Sequence, residues 1–280
     1  MKVAVIGSGT MGAGIAQVMA TKHEVILRDV VKEALEKAQK TIDKNLTRLV
    51  DKEKIDSAEK ERIIGNITIS DDIQDVKDCD LVIEAASENP EIKKAIFKEL
   101  DEVCDEKTIL ASNTSSLSIT EIGAATSRPE KVIGMHFFNP VPMMKLVEVI
   151  RGKKTADDVN TFIIDLSKEI GKTPVEVEEG PGFVVNRVLI PMINEAIGIY
   201  ADGLASAEDI DTAMKLGANH PMGPLALGDL IGLDIVLAIM EVLYNEFGDS
   251  KYRPHPLLRK MVRAGELGRK SGVGFYDYRK

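Results

Sequence analysis

Two side chains twelve positions apart, His136 and Glu148, carry the chemistry that this sequence most plainly suggests. Both lie in the stretch IGMHFFNPVPMMKLVEVI, residues 133–150, which consists of two apolar runs joined by a turn. Around Glu148 the residues that share a face recur with period two, a spacing that predicts a strand. A carboxylate in an apolar strand is costly unless it is paired, and His136 on a neighbouring strand is the nearest candidate.

A carboxylate behind an imidazole fixes the ring tautomer and stabilises the imidazolium, which is what a general base requires. We therefore predict that His136 is a general base and that Glu148 orients it. For a histidine considered alone, the alternative is a packed, hydrogen-bonded ring with no chemical role. The other motifs of the chain favour the first interpretation.

A glycine-rich turn follows the first apolar run of the chain. Residues 2–6 predict a β-strand, Gly7, Gly9 and Gly12 come next, and a helical pattern continues to residue 19. In this setting the first glycine permits the tight turn, the second lets the backbone approach a pyrophosphate, and the third allows the helix to pack closely on the strand. The helix N-terminus then faces the anion. The pattern predicts a dinucleotide-binding loop.

An acidic residue is expected about 20 positions after such a loop, where it binds the ribose hydroxyls. Asp29 lies 22 positions after Gly7, at the end of the second predicted strand. Because this carboxylate would repel a 2′-phosphate, the cofactor is predicted to be NAD. The neighbouring Arg28 leaves NADP as the alternative.

Strands and helices alternate through the first 180 residues. Helices are predicted at 32–50, 90–103 and 156–169, and further strands at 66–70, 80–85, 108–112 and 173–177. This alternation predicts an α/β fold with a Rossmann-type doubly wound sheet. Ligands of such a sheet bind at the carboxyl ends of its strands, so the loop residues Glu88, Ser115 and Asn139 are expected to face one crevice.

The alternation stops at EGPG, residues 179–182, and only helical patterns follow, at 183–200, 207–216, 225–247 and 255–264. We therefore predict an N-terminal domain of residues 1–182 and an all-α C-terminal domain of residues 183–280. The second domain is very apolar, above all at 227–243, which predicts a buried central helix or a subunit interface. The expected assembly is a homo-oligomer, most simply a two-fold dimer.

A basic stripe runs along the predicted helix 32–50 and just beyond it. Its members recur at intervals of three or four and lie opposite the apolar face: Lys37, Lys40, Lys44, Arg48 and Lys52. One interpretation is an ordinary solvated face. The other is a surface that binds the phosphates of a substrate too large for the main crevice, which is notable in a protein whose net charge is −9.

Composition excludes several classes of protein. A net charge of −9 disfavours nucleic acid as a partner, because phosphate neutralisation needs a basic footprint. No apolar run approaches the ~20 residues of a membrane span. The start of the chain passes directly into the glycine pattern, so we expect no signal peptide and a cytoplasmic location. Cys79 and Cys104 have no partner motif, so neither a disulfide framework nor a metal site is expected.

Several long motifs together resemble the L-3-hydroxyacyl-CoA dehydrogenase family, most closely its bacterial members that act on short-chain 3-hydroxybutyryl-CoA. They are GSGTMGAGIAQV, DLVIEAASEN, ASNTSSLSIT, GMHFFNPVPMMKLVEVI, PGFVVNRVLIPMINEA, DIDTAMKLGANHPMGPLAL and RKSGVGFYDY, and they cover essentially the whole chain. The resemblance implies an NAD(P)-binding Rossmann domain, a helical domain that dimerises, and an active site between the two.

The resemblance also assigns roles to individual residues. The catalytic set that it implies is His136, Glu148, Ser115 and Asn186, of which Ser115 and Asn186 also bind substrate. The cofactor set is Gly7, Gly9, Thr10, Met11, Gly12, Asp29, Glu88, Lys93, Ser115, Asn139 and Lys270. The coenzyme A set is Lys52 with Lys44, Arg48 and Lys54 as further candidates. Where some relatives have a serine that contacts coenzyme A, this chain has Asn45.

The expected reaction is the reversible NAD-dependent oxidation of an L-3-hydroxyacyl-CoA to the 3-ketoacyl-CoA. Two alternatives from other classes are a dehydrogenase of a free hydroxy acid or sugar acid and a catalytically silent NAD-binding structural protein. The basic stripe disfavours the first. The complete set of Ser115, His136, Glu148 and Asn186 disfavours the second.

Overall fold

A computed structural model describes residues 1–279 as two compact units. The N-terminal unit spans Met1–Gly180 and the C-terminal unit begins at Pro181. The division falls inside the EGPG segment at which the sequence pattern changes. No helix within the described residues combines the length and the apolar character needed to cross a bilayer.

One eight-stranded sheet forms the centre of the N-terminal unit, in the order β3-β2-β1-β4-β5-β6-β7-β8. Its strands are β1 (Lys2–Ile6), β2 (Glu24–Arg28), β3 (Ile67–Ser70), β4 (Leu81–Glu84), β5 (Ile109–Ser112), β6 (Val132–Phe137), β7 (Leu146–Arg151) and β8 (Thr173–Glu178). The first six strands are parallel, and β7 and β8 run the opposite way because β6 pairs with β7 antiparallel.

The helices of this unit are α1 (Thr10–Met19), α2 (Lys32–Asp51), α3 (Ser57–Gly65), α4 (Pro90–Val103), α5 (Ile119–Ala124) and α6 (Asp157–Glu169). Central strands such as β4 and β5 are buried along their whole length, as expected of parallel strands covered on both faces. The predicted doubly wound architecture is thus confirmed. The sequence pattern did not predict α3 and α5, which are short helices capped by Asp56 and Ser118 respectively.

The C-terminal unit is helical, as predicted. Its helices are α7 (Val185–Ala201), α8 (Ala207–Gly217), α9 (Pro224–Ile231), α10 (Leu233–Phe247) and α11 (Pro256–Arg263). The single helix predicted at 225–247 is wrong, because Gly232 adopts φ +105° and separates α9 from α10. A positive φ is accessible to glycine and ends the regular helix there.

Residues 274–278 fold back onto α9 around the buried carboxylate of Asp229. This carboxylate accepts hydrogen bonds from the backbone N–H groups of Phe275 and Tyr276, both at 3.0 Å, and from the Tyr278 hydroxyl at 3.1 Å. A side chain at Gly274 would place its Cβ 2.0 Å from an Asp229 oxygen. Gly274 and the two tyrosines of the RKSGVGFYDY motif therefore enclose this carboxylate.

Candidate active site

His136 and Glu148, predicted from the sequence to be partners on neighbouring strands, face each other across β6 and β7. They are paired directly in the antiparallel ladder. His136 Nδ1 lies 2.8 Å from Glu148 Oε2. The side chains are 7% and 1% exposed, so the pair is almost entirely removed from water. At this burial the hydrogen bond is strong, and loss of either partner would leave the other with an uncompensated polar group.

The contact also assigns the tautomer of the ring. An ionised carboxylate can only accept hydrogen bonds, so the Nδ1 of His136 carries the hydrogen that is shared with Glu148. In the neutral ring Nε2 then holds the lone pair. This is the arrangement of a general base oriented by an acid, and it follows from the geometry of two adjacent strands.

The glycine turn between β1 and α1 has the shape that a pyrophosphate requires. Gly7 has φ +97°, and a Cβ there would lie 2.8 Å from the carbonyl oxygen of Ala85. A Cβ at Gly12 would lie 1.8 Å from the carbonyl oxygen of Gly7, so the helix packs directly on the turn. A Cβ at Gly9 would meet nothing within 4 Å, and no side chain of residues 1–279 caps the N-terminus of α1. The open space in front of this helix N-terminus fits a bound dinucleotide.

Asp29 follows β2 and is held beside this turn. Its carboxylate accepts hydrogen bonds from the backbone N–H and the hydroxyl of Ser8, at 2.7 and 2.8 Å, and from the N–H of Val31 at 3.0 Å. Burial raises the pKa of Asp29, but these hydrogen bonds outweigh it and hold the pKa below its usual range. The carboxylate is therefore ionised at neutral pH and suited to accept ribose hydroxyls.

Glu88, in the loop after β4, organises the loop after β5. One carboxylate oxygen accepts hydrogen bonds from the Thr114 hydroxyl at 2.7 Å and from the Ser115 N–H and hydroxyl at 2.7 and 3.0 Å. Burial raises the pKa of Glu88, but the charge of Lys93 and these hydrogen bonds hold it below its usual range. The structure thus brings together two of the three loop residues expected to share a crevice. The third, Asn139, is exposed after β6 at the same edge of the sheet.

Lys93, another residue of the expected cofactor set, is buried next to Glu88, and its contribution to cofactor binding stays a prediction. Its side chain is 1% exposed, and its Nζ lies 2.8 and 2.9 Å from the two oxygens of Glu84 and 3.4 Å from Glu88. Lys93 is thus enclosed behind Glu88 and holds that carboxylate in place. Sequence reasoning overlooked Glu84, although a carboxylate that ends the wholly apolar strand β4 was a signal for a buried ion pair.

Asn113 is a second residue that sequence reasoning overlooked. It follows β5, and its side-chain oxygen accepts a hydrogen bond of 2.8 Å from the backbone N–H of Phe137, the residue after His136. The loop that carries Ser115 and the strand that carries His136 are thereby joined directly. In the sequence, the only indication of this hydrogen bond is that the polar segment NTSS, which follows β5, begins with an asparagine.

The basic stripe is exposed on α2 and the turn after it, as the sequence predicts. Lys32 and Lys60 at its borders pair with Asp71 and Asp43. The stripe and the neighbouring Lys54 form no ion pair within residues 1–279; the stripe comprises Lys37, Lys40, Lys44, Arg48 and Lys52. Asn45 lies beside it and donates a 3.3 Å hydrogen bond to the Gln17 side chain on α1. Exposed cationic side chains that are not engaged in ion pairs are suited to bind an anionic ligand.

Comparison with known proteins shows the family. Residues 2–180 match the model of the 3-hydroxyacyl-CoA dehydrogenase NAD-binding domain, and residues 182–278 match that of the 3-hydroxyacyl-CoA dehydrogenase C-terminal domain. The chain belongs to the 3-hydroxyacyl-CoA dehydrogenase family. The resemblance inferred from the motifs is thus confirmed, together with NAD as the cofactor of the N-terminal domain.

Individual members of this family are similar over their full length. The chain is 64% identical to a 3-hydroxybutyryl-CoA dehydrogenase of Clostridioides difficile, with 100% of both chains covered. It is 46% identical to the human mitochondrial hydroxyacyl-coenzyme A dehydrogenase, covering 99% of this chain and 91% of that one. The crystal structure of (S)-3-hydroxybutyryl-CoA dehydrogenase from Ralstonia eutropha matches with a TM-score of 0.97 and 53% identity, over 100% and 99% of the two chains.

Two residues implied by the family resemblance lie in the C-terminal unit. Asn186 is in the first turn of α7 and 9% exposed. Lys270 is exposed and forms an ion pair with Asp234 on α10. Their contributions to substrate and cofactor binding stay predictions.

The described residues contain no cluster of three or more metal-ligating side chains. Both cysteines are free and buried, and burial raises the pKa of Cys79 to about 12 and that of Cys104 to about 11. Neither sulfur is therefore a thiolate at neutral pH.

Proposed function

We propose that this member of the family reversibly oxidises short-chain L-3-hydroxyacyl-CoA, such as 3-hydroxybutyryl-CoA, to the 3-ketoacyl-CoA with NAD. The observation that carries the proposal is the buried 2.8 Å pair of His136 and Glu148 in the same sheet as a turn suited to a dinucleotide. The full-length similarity to enzymes named for this reaction supports the choice of substrate.

In the oxidative direction, Nε2 of neutral His136 takes the proton from the 3-hydroxyl group. Glu148 stabilises the imidazolium that results and keeps the ring from rotating. Bound NAD supplies the acceptor for the hydride that leaves carbon 3. In the reductive direction the protonated ring returns the proton to the carbonyl oxygen. The Ser115 hydroxyl and the Asn186 amide are proposed to orient the reacting oxygen and the thioester carbonyl.

Coenzyme A is proposed to bind along the basic stripe, with Lys52 contacting its phosphates. The substitution Lys52→Glu is expected to raise KM for acetoacetyl-CoA about threefold to tenfold and to leave kcat nearly unchanged, because the charge lies away from the reacting atoms. The increase should shrink as ionic strength rises. Lys107→Glu is the matched control, since this exposed lysine precedes β5 at the opposite edge of the sheet. An equal KM in the two variants would contradict this assignment.

The enzyme is further proposed to act in the cytoplasm as a homodimer formed through its C-terminal unit. Large apolar side chains on the surface of this unit support an interface, with Val188, Leu204 and Leu216 exposed by 70, 77 and 82%. Light scattering coupled to size-exclusion chromatography measures the mass. A monomer at micromolar concentration would contradict the dimer.

The reaction itself is tested by initial rates of NADH oxidation with acetoacetyl-CoA, compared with free acetoacetate and with NADPH. Rapid turnover of the thioester with NADH is expected. Equal turnover of free acetoacetate would favour a dehydrogenase of free hydroxy acids. No oxidation of NADH with either substrate would indicate a silent NAD-binding protein and refute the proposal.

A further inference from the structure

Lys172, between α6 and β8, is a buried lysine that forms no ion pair with any residue in 1–279. It is 8% exposed, and its Nζ donates hydrogen bonds to the main-chain oxygens of Val141 at 2.5 Å and Met144 at 2.8 Å. No carboxylate of residues 1–279 lies within ion-pair distance of it. Burial lowers the pKa of Lys172. Because an unpaired ammonium is costly to bury, the backbone contacts that hold it need a structural reason.

The two oxygens belong to the segment 138–145, which connects the strand of His136 to the strand of Glu148. Within this connection the backbone N–H groups of Met143 and Met144 both donate to the carbonyl oxygen of Pro140, each at 3.0 Å. Lys172 therefore adds two hydrogen bonds to a turn that its own backbone already holds together. Because the turn joins β6 to β7, any shift of it also moves the adjoining ends of these two strands.

The other side of the connection rests on the dinucleotide-binding helix. Val141 is 2% exposed, and a Cβ at Gly14 of α1 would lie 2.9 Å from its Cβ atom. There is no room for a side chain at Gly14, because real Cβ contacts are essentially never this short. The β6–β7 connection is thus held between α1 on one side and Lys172 on the other.

We propose that Lys172 is a positioning residue for the reaction, because it clamps the β6–β7 connection against α1 and so sets the place of His136 relative to the dinucleotide turn. This inference rests on the proposed function, since it concerns the same histidine. A lysine suits the role because its long stem reaches the turn from the position just before β8, and its three donors can serve two carbonyl oxygens together. Misplacement of a base by about 1 Å can cost about 100-fold in rate.

The first test compares Lys172→Met with Lys168→Met, in which the replaced lysine lies on α6, is 61% exposed and pairs with Asp165. For Lys172→Met we expect kcat to fall about 10- to 100-fold while the Kd of NADH, measured by fluorescence, stays close to that of the wild type. The deuterium isotope effect from 4-deuterated NADH should rise, because hydride transfer becomes the slow step. Lys168→Met should match the wild type in all three measurements.

If Lys172 only stabilised the fold, its replacement would not lower kcat while leaving the Kd of NADH unchanged. Lys172→Met with a wild-type kcat and isotope effect would overturn the proposal, and so would a parallel loss of kcat and NADH binding. Lys172→Arg, which keeps the donors, should recover part of the lost kcat. The wild-type rate with acetoacetyl-CoA is measured first, so a failure of the proposed function is seen before any variant is compared.

A second pair of variants perturbs the same β6–β7 connection from its contact with α1. These variants test the proposal even if Lys172→Met does not fold. Gly14→Ala should lower kcat, because the new methyl group pushes on Val141. Val141→Gly in the same chain removes both the Cβ atom and the methyl groups that the new side chain would meet, and it should restore much of the kcat. Gly14→Ala with full turnover, or a double variant no faster than Gly14→Ala, would contradict the proposal.

Discussion

His136→Ala is expected to lower kcat by about 10²- to 10⁴-fold, the usual contribution of a positioned general base. NADH should bind with nearly unchanged Kd, because the glycine turn and Asp29 are formed by β1, α1 and β2 and do not involve this ring. Stopped-flow measurement of NADH oxidation with acetoacetyl-CoA gives kcat, and fluorescence titration gives the Kd. A lower kcat with an unchanged Kd of NADH shows that the variant has lost the chemical step, whereas a variant that fails to fold would lose NADH binding as well.

The matched control is His220→Ala, which removes a histidine of the C-terminal unit from the segment between α8 and α9. It should retain the wild-type kcat. Turnover of His136→Ala at the wild-type rate would refute the assignment of the base, and a large decrease in His220→Ala would show that the assay responds to histidine loss in general.

The second large effect is expected for Glu148→Gln, with a decrease in kcat of about 10²- to 10⁴-fold at little cost in NADH binding. The amide has nearly the shape of the carboxylate, but it carries no charge to stabilise the imidazolium. Its NH2 group can also donate to Nδ1 of His136, which favours the tautomer in which Nε2 carries the hydrogen and cannot accept a proton. Steady-state kinetics with acetoacetyl-CoA measures the effect.

A matched control for Glu148→Gln is available in the same protein. A second histidine and glutamate pair, His23 and Glu169, lies outside the proposed site with its atoms 3.7 Å apart and the carboxylate 52% exposed. Glu169→Gln should leave kcat unchanged. If Glu148→Gln were as active as Glu169→Gln, the carboxylate of Glu148 would have no part in the reaction.

Features that depend on neighbours along the chain could be predicted from the sequence. The glycine spacing at Gly7 to Gly12 dictates a turn whatever surrounds it, and period two in β7 determines which side Glu148 faces. The partnership of His136 with Glu148 was predictable because a short connection between two strands leaves an antiparallel pair as the simplest arrangement. The basic stripe on α2 was also predictable, because helical periodicity alone decides which side chains share one face.

Features that join distant parts of the chain were decided only by tertiary structure. The single helix predicted at 225–247 breaks at Gly232, and the apolar pattern on both sides gives no sign of it. Lys93 resembles an exposed lysine in sequence, yet the fold encloses it between Glu84 and Glu88. Lys172 lies 31 and 28 positions from the carbonyl oxygens that it binds.

The sequence alone thus determined the fold class, the dinucleotide turn and the pairing of His136 with Glu148, because local periodicity and residue chemistry are sufficient for these. The tertiary structure decided which carboxylates and ammonium groups are buried, and therefore how Glu88 and the β6–β7 connection are held. Burial of a charge depends on what packs around it from other elements, and a one-dimensional pattern does not contain that information.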